Sequence, residues 1–202
     1  MISDDSIVFI IDDDDAVRHS LMLMIEQEGI PVQVFESAEA FLKHFQPQFK
    51  GCIILDINMP GMDGLQLQET LGNYECSLPI IFLTGFGSVP QSVKALKMGA
   101  VDFLIKPVTR EKLIESIRSA FVKCENLIQV RRHNHKTKSF LSKLTAREKE
   151  ILGLVLQGRS NKEIGLDLDI SYRTVEIHRR NIMHKAGATN LLELAELAHK
   201  IV

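Results

Sequence analysis

Five short apolar runs, each followed by a stretch with helical spacing, occupy the chain through residue 124, and no other feature constrains the fold as strongly. The runs are Ile7–Ile11, Pro31–Phe35, Cys52–Leu55, Pro79–Leu83 and Val101–Ile105. Three of them are near-continuous in Ile, Val, Leu and Phe, the composition of strands buried on both faces. Helical spacing covers residues 15–28, 37–45, 64–73, 89–98 and 109–124. Five such βα units predict an α/β fold: a doubly wound, five-stranded parallel sheet with helices on both sides. In these folds a site forms at the carboxyl ends of the strands.

From Gln129 the composition shifts to the polar, basic stretch RRHNHKTK. The reading is a first domain over 1–124, a helical, basic linker over 125–141, and a second domain over 142–202. Leu113, Ile117, Ala120, Cys124 and Leu127 alternate steps of four and three, a seam that predicts a helix continuing to about residue 130 and aiding dimerisation. Cys124, Leu127 and Ile128 read as lying past the surface that packs on the sheet. Beyond the linker everything is helical. Thr145-Ala-Arg-Glu148 and Ser160-Asn-Lys-Glu163 are capping boxes, and Ser171 is a third N-cap candidate. Helices are predicted near 145–157, 161–167, 172–185 and 190–200, with a tight turn at Asp169-Ile-Ser171. The second domain is therefore a small all-α, four-helix unit of helix-turn-helix type.

Composition narrows the setting. No run approaches the roughly 18 apolar residues of a membrane span. The N-terminal MISDDSIVFIIDDDD lacks the basic segment of a secretion signal. Three cysteines (Cys52, Cys76, Cys124) form no C-x-x-C pair and read as reduced, packing thiols of a cytoplasmic protein with no membrane partner. The formal charge of −2 conceals an asymmetry. Residues 1–125 carry 10 Lys and Arg against 18 Asp and Glu, a net −8, and residues 126–202 carry 14 against 8, a net +6. An acidic half joined to a basic half suits one part that handles a cation and another that meets a polyanion.

At the strand ends polar residues converge. Asp12 and Asp13 close the first strand, Asp56 the third, Thr84 the fourth, and Lys106-Pro107 the fifth. Carboxylates gathered at one rim repel, by on the order of 4 kcal/mol per pair at about 4 Å and an effective dielectric near 20. An ammonium and a hard divalent cation compensate such a cluster, and an all-oxygen donor set suits Mg²⁺. Asp14 and Asp15 read as solvated, with Asp15 a candidate cap for the first helix. Met59-Pro-Gly-Met62 reads as a turn beside the site, and Gly64 as a helix start.

These residues, with Asp56-Ile-Asn-Met-Pro-Gly-Met-Asp-Gly64, Thr84-Gly-Phe-Gly and Gly99-Ala-Val-Asp-Phe-Leu-Ile-Lys106-Pro107, make residues 5–124 resemble the flavodoxin-like receiver domain of two-component response regulators. The resemblance implies that Asp56 takes a phosphoryl group from a sensor histidine kinase. Asp13, Asp56 and the carbonyl of Asn58 would hold Mg²⁺, with Asp12 acting through a water. Lys106, across a cis bond to Pro107, would pair with the phosphoryl group, Thr84 would donate its hydroxyl to it, and Phe103 would swing inward behind Thr84. A new local charge would thus bias a packed element with two positions.

Residues 144–200 resemble the LuxR-type domain through Leu144-Thr-Ala-Arg-Glu-Lys-Glu-Ile-Leu152, Gly158-Arg-Ser-Asn-Lys-Glu-Ile164 and Thr174-Val-Glu-Ile-His-Arg-Arg-Asn-Ile182. Together the two domains resemble the FixJ/NarL class of regulators, which implies promoter DNA, a second copy of the chain after phosphorylation, and RNA polymerase as partners. Read on its own, helix 172–185 has an inward stripe of Val175, His178, Ile182 and Ala186, with His178 a structural histidine. Arg173, Glu176, Ile177, Arg180 and His184 fall on the opposite face. Arg180 suits guanine, Glu176 cytosine, and Ile177 a thymine methyl. Lys162, Thr174, Arg179 and Lys185 suit phosphates, which position a domain without reading sequence. The chain departs from the family at Ala186, Ala188 and Leu191, where two bulky aliphatics and an arginine are usual.

Two other readings compete. An Asp-nucleophile phosphatase uses the same groups, but it carries a general-acid Asp two residues after the nucleophile, and Asn58 stands there. A DNA-binding protein with a vestigial receiver has no need of Asp13, Asp56, Thr84 and Lys106 together.

Overall fold

The structure, a computed structural model, describes residues 6–74, 76–85 and 89–198. Strands β1 (Ile7–Ile11), β2 (Val32–Phe35), β3 (Gly51–Leu55), β4 (Ile80–Thr84) and β5 (Asp102–Ile105) form one parallel sheet in the order β2-β1-β3-β4-β5. Helices α1 (Asp15–Glu26), α2 (Ala38–His44), α3 (Gly64–Asn73), α4 (Val89–Lys97) and α5 (Arg110–Ser142) follow the strands in turn. This is the flavodoxin-like α/β architecture read from the sequence. Alternate strand residues face opposite sides. Val8 and Ile10 join Leu21, Ile25, Leu113 and Ile117 in one layer, while Phe9 and Ile11 join Phe41, Leu67 and Ala95 in the other. Burial on both faces is why these runs show no polar alternation.

Register sets the rim of the sheet. Ile11 pairs with Leu55, Leu55 with Phe82, and Phe82 with Phe103, so the residues that follow arrive together. Pro79 has no N–H to give a ladder. Its carbonyl accepts from Ile53 at 2.9 Å, the strand begins at Ile80, and Thr84 becomes its last residue. At the other end of β3, Gly51 has φ +131°, and a Cβ there would stand 1.8 Å from the Ile7 carbonyl oxygen.

Helix starts follow side-chain chemistry. Asp14, and not Asp15, caps α1: its backbone is extended, and Oδ1 accepts from Ala16 N at 2.8 Å and Val17 N at 3.2 Å. Asp15 is already helical and pairs with Arg18 at 2.8 Å. Asp63 and Gln66 form a reciprocal capping box that starts α3 at Gly64.

The chain divides into two compact units between Ile128 and Gln129. In the second, α6 (Ala146–Leu156), α7 (Asn161–Asp167), α8 (Tyr172–Ala186) and α9 (Leu191–Ala198) enclose Ile151, Leu152, Ile164, Val175, Ile182 and Leu194. The boxes at Thr145/Glu148 and Ser160/Glu163 form in both directions, and Ser171 caps α8. Asp169, at φ +51°, turns the chain between α7 and α8. His199 and Lys200, included in the predicted final helix, lie outside the described residues.

Helix α5 runs 33 residues, past the end near 130 that its seam predicted and through the stretch read as a helical, basic linker. Cys124 is buried, and its Sγ accepts from Gly51 N at 3.5 Å, so the surface packed on the sheet extends to a residue expected beyond it. Within the expected linker, Thr137 and Phe140 are also buried, and Thr137 Oγ1 donates to the Leu197 carbonyl at 2.8 Å. Among the described residues no helix is long and apolar enough to cross a membrane.

Candidate functional site

At the carboxyl rim of the sheet, Lys106 Nζ lies 2.6 Å from Asp12 Oδ2 and 3.0 Å from Asp56 Oδ1. Both carboxylates are buried, at 2% and 5% exposure, so their charges are felt at low dielectric. The residues directly follow β1, β3 and β5, far apart in sequence and brought together only through the sheet order. Asn58 N donates to Asp56 Oδ2 at 2.6 Å, which fixes the second carboxylate oxygen. Burial pushes the Asp56 carboxyl above its ordinary range; Lys106 draws it down by hydrogen bond and charge, and the Asp12 charge pushes it up again. For Lys106, burial disfavours the ammonium, but the bonds and charges of Asp12 and Asp56 outweigh it and the group stays above its ordinary value. Two carboxylates sharing one ammonium leave uncompensated negative charge.

Asp13 is exposed, and among the described residues no three Asp, Glu, His or Cys side chains gather as a metal cluster. Asn58 is exposed. Thr84 is fully buried at the end of β4, and its carbonyl accepts from Lys106 N at 2.9 Å. Phe103 is half-buried, its ring 6.3 Å from that of Phe82. The Lys106–Pro107 bond is cis. Phe86 and Gly87 of the Thr84-Gly-Phe-Gly motif lie outside the described residues.

In the second unit, α8 presents the faces that its periodicity predicts. Val175 and Ile182 are buried, His178 and Ala186 half-buried, and Arg173, Glu176, Ile177, Arg180 and His184 are all exposed. Ile177 is 49% exposed between charged neighbours. Lys162 on α7 is exposed, while Thr174 is half-buried with Oγ1 2.8 Å from Ser171 Oγ. Two expected phosphate contacts have internal partners instead. Arg179 Nη1 donates to Asn161 Oδ1 at 2.7 Å, and Lys185 Nζ pairs with buried Glu148 at 2.6 Å. Each satisfies a group from a neighbouring helix, so neither is an uncommitted surface cation.

Sequence reasoning missed two contacts at the first site. Arg18 Nη1 donates to the Asp12 main-chain carbonyl at 2.7 Å and so steadies the strand end. Its three-residue spacing from Asp15 was the available signal. Gln68, buried on α3, donates from Nε2 to the Ala95 carbonyl at 3.1 Å, tying α3 to α4. Nothing local in the sequence marks that pair.

Comparison with known proteins bears on both units. Residues 8–118 match the response regulator receiver domain family, and residues 142–198 match the bacterial regulatory proteins of the luxR family. The response regulator protein TmoT of Ectopseudomonas mendocina is 39% identical over 201 residues, spanning 98% of this chain and 90% of that protein. The transcriptional regulatory protein FixJ of Rhizobium meliloti is 40% identical over 197 residues, 96% of this chain and 95% of that one. Among solved structures, response regulator StyR matches with a TM-score of 0.84 at 37% identity over 97% of this chain and 99% of its own. Full-length FixJ from B. japonicum matches with a TM-score of 0.59 at 36% identity over 96% of both chains. Because these matches run through both units in one order, the chain belongs to the two-component response regulators of the FixJ class, a receiver domain joined to a LuxR-type DNA-binding domain in a transcription regulator.

Proposed function

We propose that Asp56 accepts a phosphoryl group from a sensor histidine kinase, and that this switches the binding of promoter DNA by the second domain. The observation that carries the reading is Lys106 held at 2.6 and 3.0 Å between two buried carboxylates at the strand ends. An Asp56 carboxylate oxygen attacks phosphorus, the P–N bond of the phosphohistidine breaks, and its electron pair returns to the imidazole. The product is an acyl phosphate on Asp56. Lys106, already an ammonium at 3.0 Å, can follow the new negative charge. Thr84, at the end of β4, offers its hydroxyl to a phosphoryl oxygen, and Phe103 fills the space behind it.

Excess negative charge and an all-oxygen donor set fit Mg²⁺. Asp13, Asp56 and the Asn58 carbonyl would hold it, with Asp12 acting through a water, and it would supply charge neutralisation to the phosphoryl oxygens. Asn58 has no proton to give as a general acid, so the chemistry is self-modification and not turnover of an external phosphate ester. Val93 and Leu96 on α4 and Ile105 on β5 are exposed apolar side chains. They suit pairing of two phosphorylated receivers, which places two DNA-binding domains on one duplex. There Arg173, Glu176, Ile177 and Arg180 meet base edges and Lys162 meets phosphate, in a cytoplasmic protein that acts with RNA polymerase.

Phos-tag electrophoresis after incubation with acetyl phosphate and Mg²⁺ tests the reading. The wild-type chain is expected to shift and Asp56→Asn is not. An unchanged shift in Asp56→Asn places the phosphoryl group on another residue.

A further inference from the structure

Between Glu125 and Glu148 the sequence holds six Lys and Arg and no Asp or Glu. From Glu148 to Val202 it holds eight basic and eight acidic residues, which cancel. The net +6 of the C-terminal part therefore resides wholly in residues 126–147. The segment that carries the helix-turn-helix contributes no net attraction for a polyanion, although affinity for DNA is largely phosphate neutralisation.

The structure places these cations on a built surface. Arg132, Lys136 and Lys138 are exposed on the last turns of α5, and Lys143 is exposed just after it. Thr137, Phe140 and Leu144 in the same stretch are buried, and the Thr137 bond to the Leu197 carbonyl fixes it to α9. It therefore moves with the DNA-binding unit. Arg147 is engaged internally, with Glu150 at 2.8 Å and the Leu168 carbonyl at 2.6 Å. Arg131 is half-buried, and no acidic side chain within one helical turn neutralises Arg132, Lys136, Lys138 or Lys143.

We infer that Arg132, Lys136, Lys138 and Lys143 form a second DNA-contacting surface, which engages duplex phosphates outside the bases met by α8. The inference rests on the reading of the second unit as DNA-binding. It assigns the segment that reads as a linker the sequence-independent, salt-sensitive share of affinity, and leaves base reading to α8. The occupant is duplex DNA, on charge complementarity: four uncompensated cations on a helix carried by the DNA-binding unit.

The test is the full chain and its Arg132→Gln/Lys136→Gln/Lys138→Gln/Lys143→Gln variant, with affinity for a duplex of arbitrary sequence measured across a salt series. Glutamine is as good a helix former as the residues it replaces. At about 0.9 per phosphate contact, the variant is expected to flatten the slope of log affinity against log salt by about three to four units. Its base preference, selected from a random duplex pool, should match wild type. A variant that exchanges Arg and Lys at the same four positions should keep the wild-type slope. If wild type binds the duplex and the glutamine variant keeps its slope within one unit, the inference is overturned while DNA binding by α8 stands. Raised affinity in the glutamine variant, as when these cations serve the acidic receiver, also overturns it. If wild type binds no duplex, both readings fall.

Discussion

Lys185 Nζ lies 2.6 Å from Glu148 Oε2 and ties the last turn of α8 to the first turn of α6. The same carboxylate oxygen accepts from Thr145 N at 2.8 Å, so one buried group closes a capping box and anchors the DNA-reading helix. Removing the ammonium strands a buried carboxylate, and Lys185→Met should cost about 1–3 kcal/mol of unfolding free energy. Burial alone raises the Glu148 carboxyl, but Lys185 and Thr145 outweigh it and hold the group below its ordinary value. A lowered acid contributes stability above its unfolded pKa, near 4.3 for glutamate, and loses it as pH falls through the folded value. In Lys185→Met burial acts without the cation. The stability gap between wild type and variant should be widest near neutrality and close in acid as Glu148 protonates in both. Chemical denaturation across pH measures this, and a gap that does not change with pH removes the ion pair as its cause.

Gly64 supports the phosphoryl site from behind. A Cβ there would stand 2.2 Å from the Asp56 carbonyl oxygen and 3.1 Å from Ile57 Cα, while Gly64 N donates to the Ile57 carbonyl at 2.9 Å. Gly64→Ala must push the backbone of the phosphoacceptor. It should cost about 1–3 kcal/mol of stability and slow phosphoryl uptake on the order of 10- to 100-fold. Gly72, in the same helix with nothing within 4 Å of its Cβ position, is the control. Gly72→Ala should gain about 0.5–1 kcal/mol and leave uptake unchanged. Equal uptake in both variants would show that Asp56 tolerates the displacement.

Arg179 and Arg180 are neighbours with different work. Arg180 is exposed on the face of α8 away from the core, whereas Arg179 bonds Asn161 across the helix-turn-helix. Arg180→Ala should cost about 1–3 kcal/mol of specific binding and relax preference at one base position, with the melting temperature unchanged. Arg179→Ala should lower the melting temperature and weaken all DNA alike. A uniform loss from Arg180→Ala would make it a phosphate contact instead.

The sheet was legible because strands buried on both faces carry an unbroken apolar signature, and the strand-end position of Asp12, Asp56, Thr84 and Lys106 follows from the topology. Arg179 and Lys185 could not be sorted from their neighbours. Their partners lie 18 and 37 residues away, and a cation that answers a buried carboxylate looks like any other cation in a linear pattern. The extent of α5 was hidden for a related reason. Its second half is polar on most sides, and the residues that pack there, Thr137 and Phe140, with Leu144 just past its end, are few and begin with a threonine. The placement of the α1 cap at Asp14 turned on backbone conformation within a run of four aspartates, where the residue type carries no information.

Asp56 belongs to the acidic half of the chain, and adding negative charge there repels a polyanion, so any gain in affinity comes from conformation or association. Leu96, 48% exposed on α4, makes no contribution to the Asp12–Lys106–Asp56 triad. Gln68 holds the main chain of its neighbour Ala95 to α3, which gives α4 a defined position to leave. Leu96→Glu places a charge on the surface where two receivers would pair and leaves the phosphoryl site intact. Phosphoryl uptake should match wild type, while sedimentation of the phosphorylated chain should show monomer, and the phosphorylation-dependent gain in operator affinity should be lost. If Leu96→Glu stays monomeric yet keeps the full gain, release of a masked DNA-binding domain, and not pairing, transmits the signal.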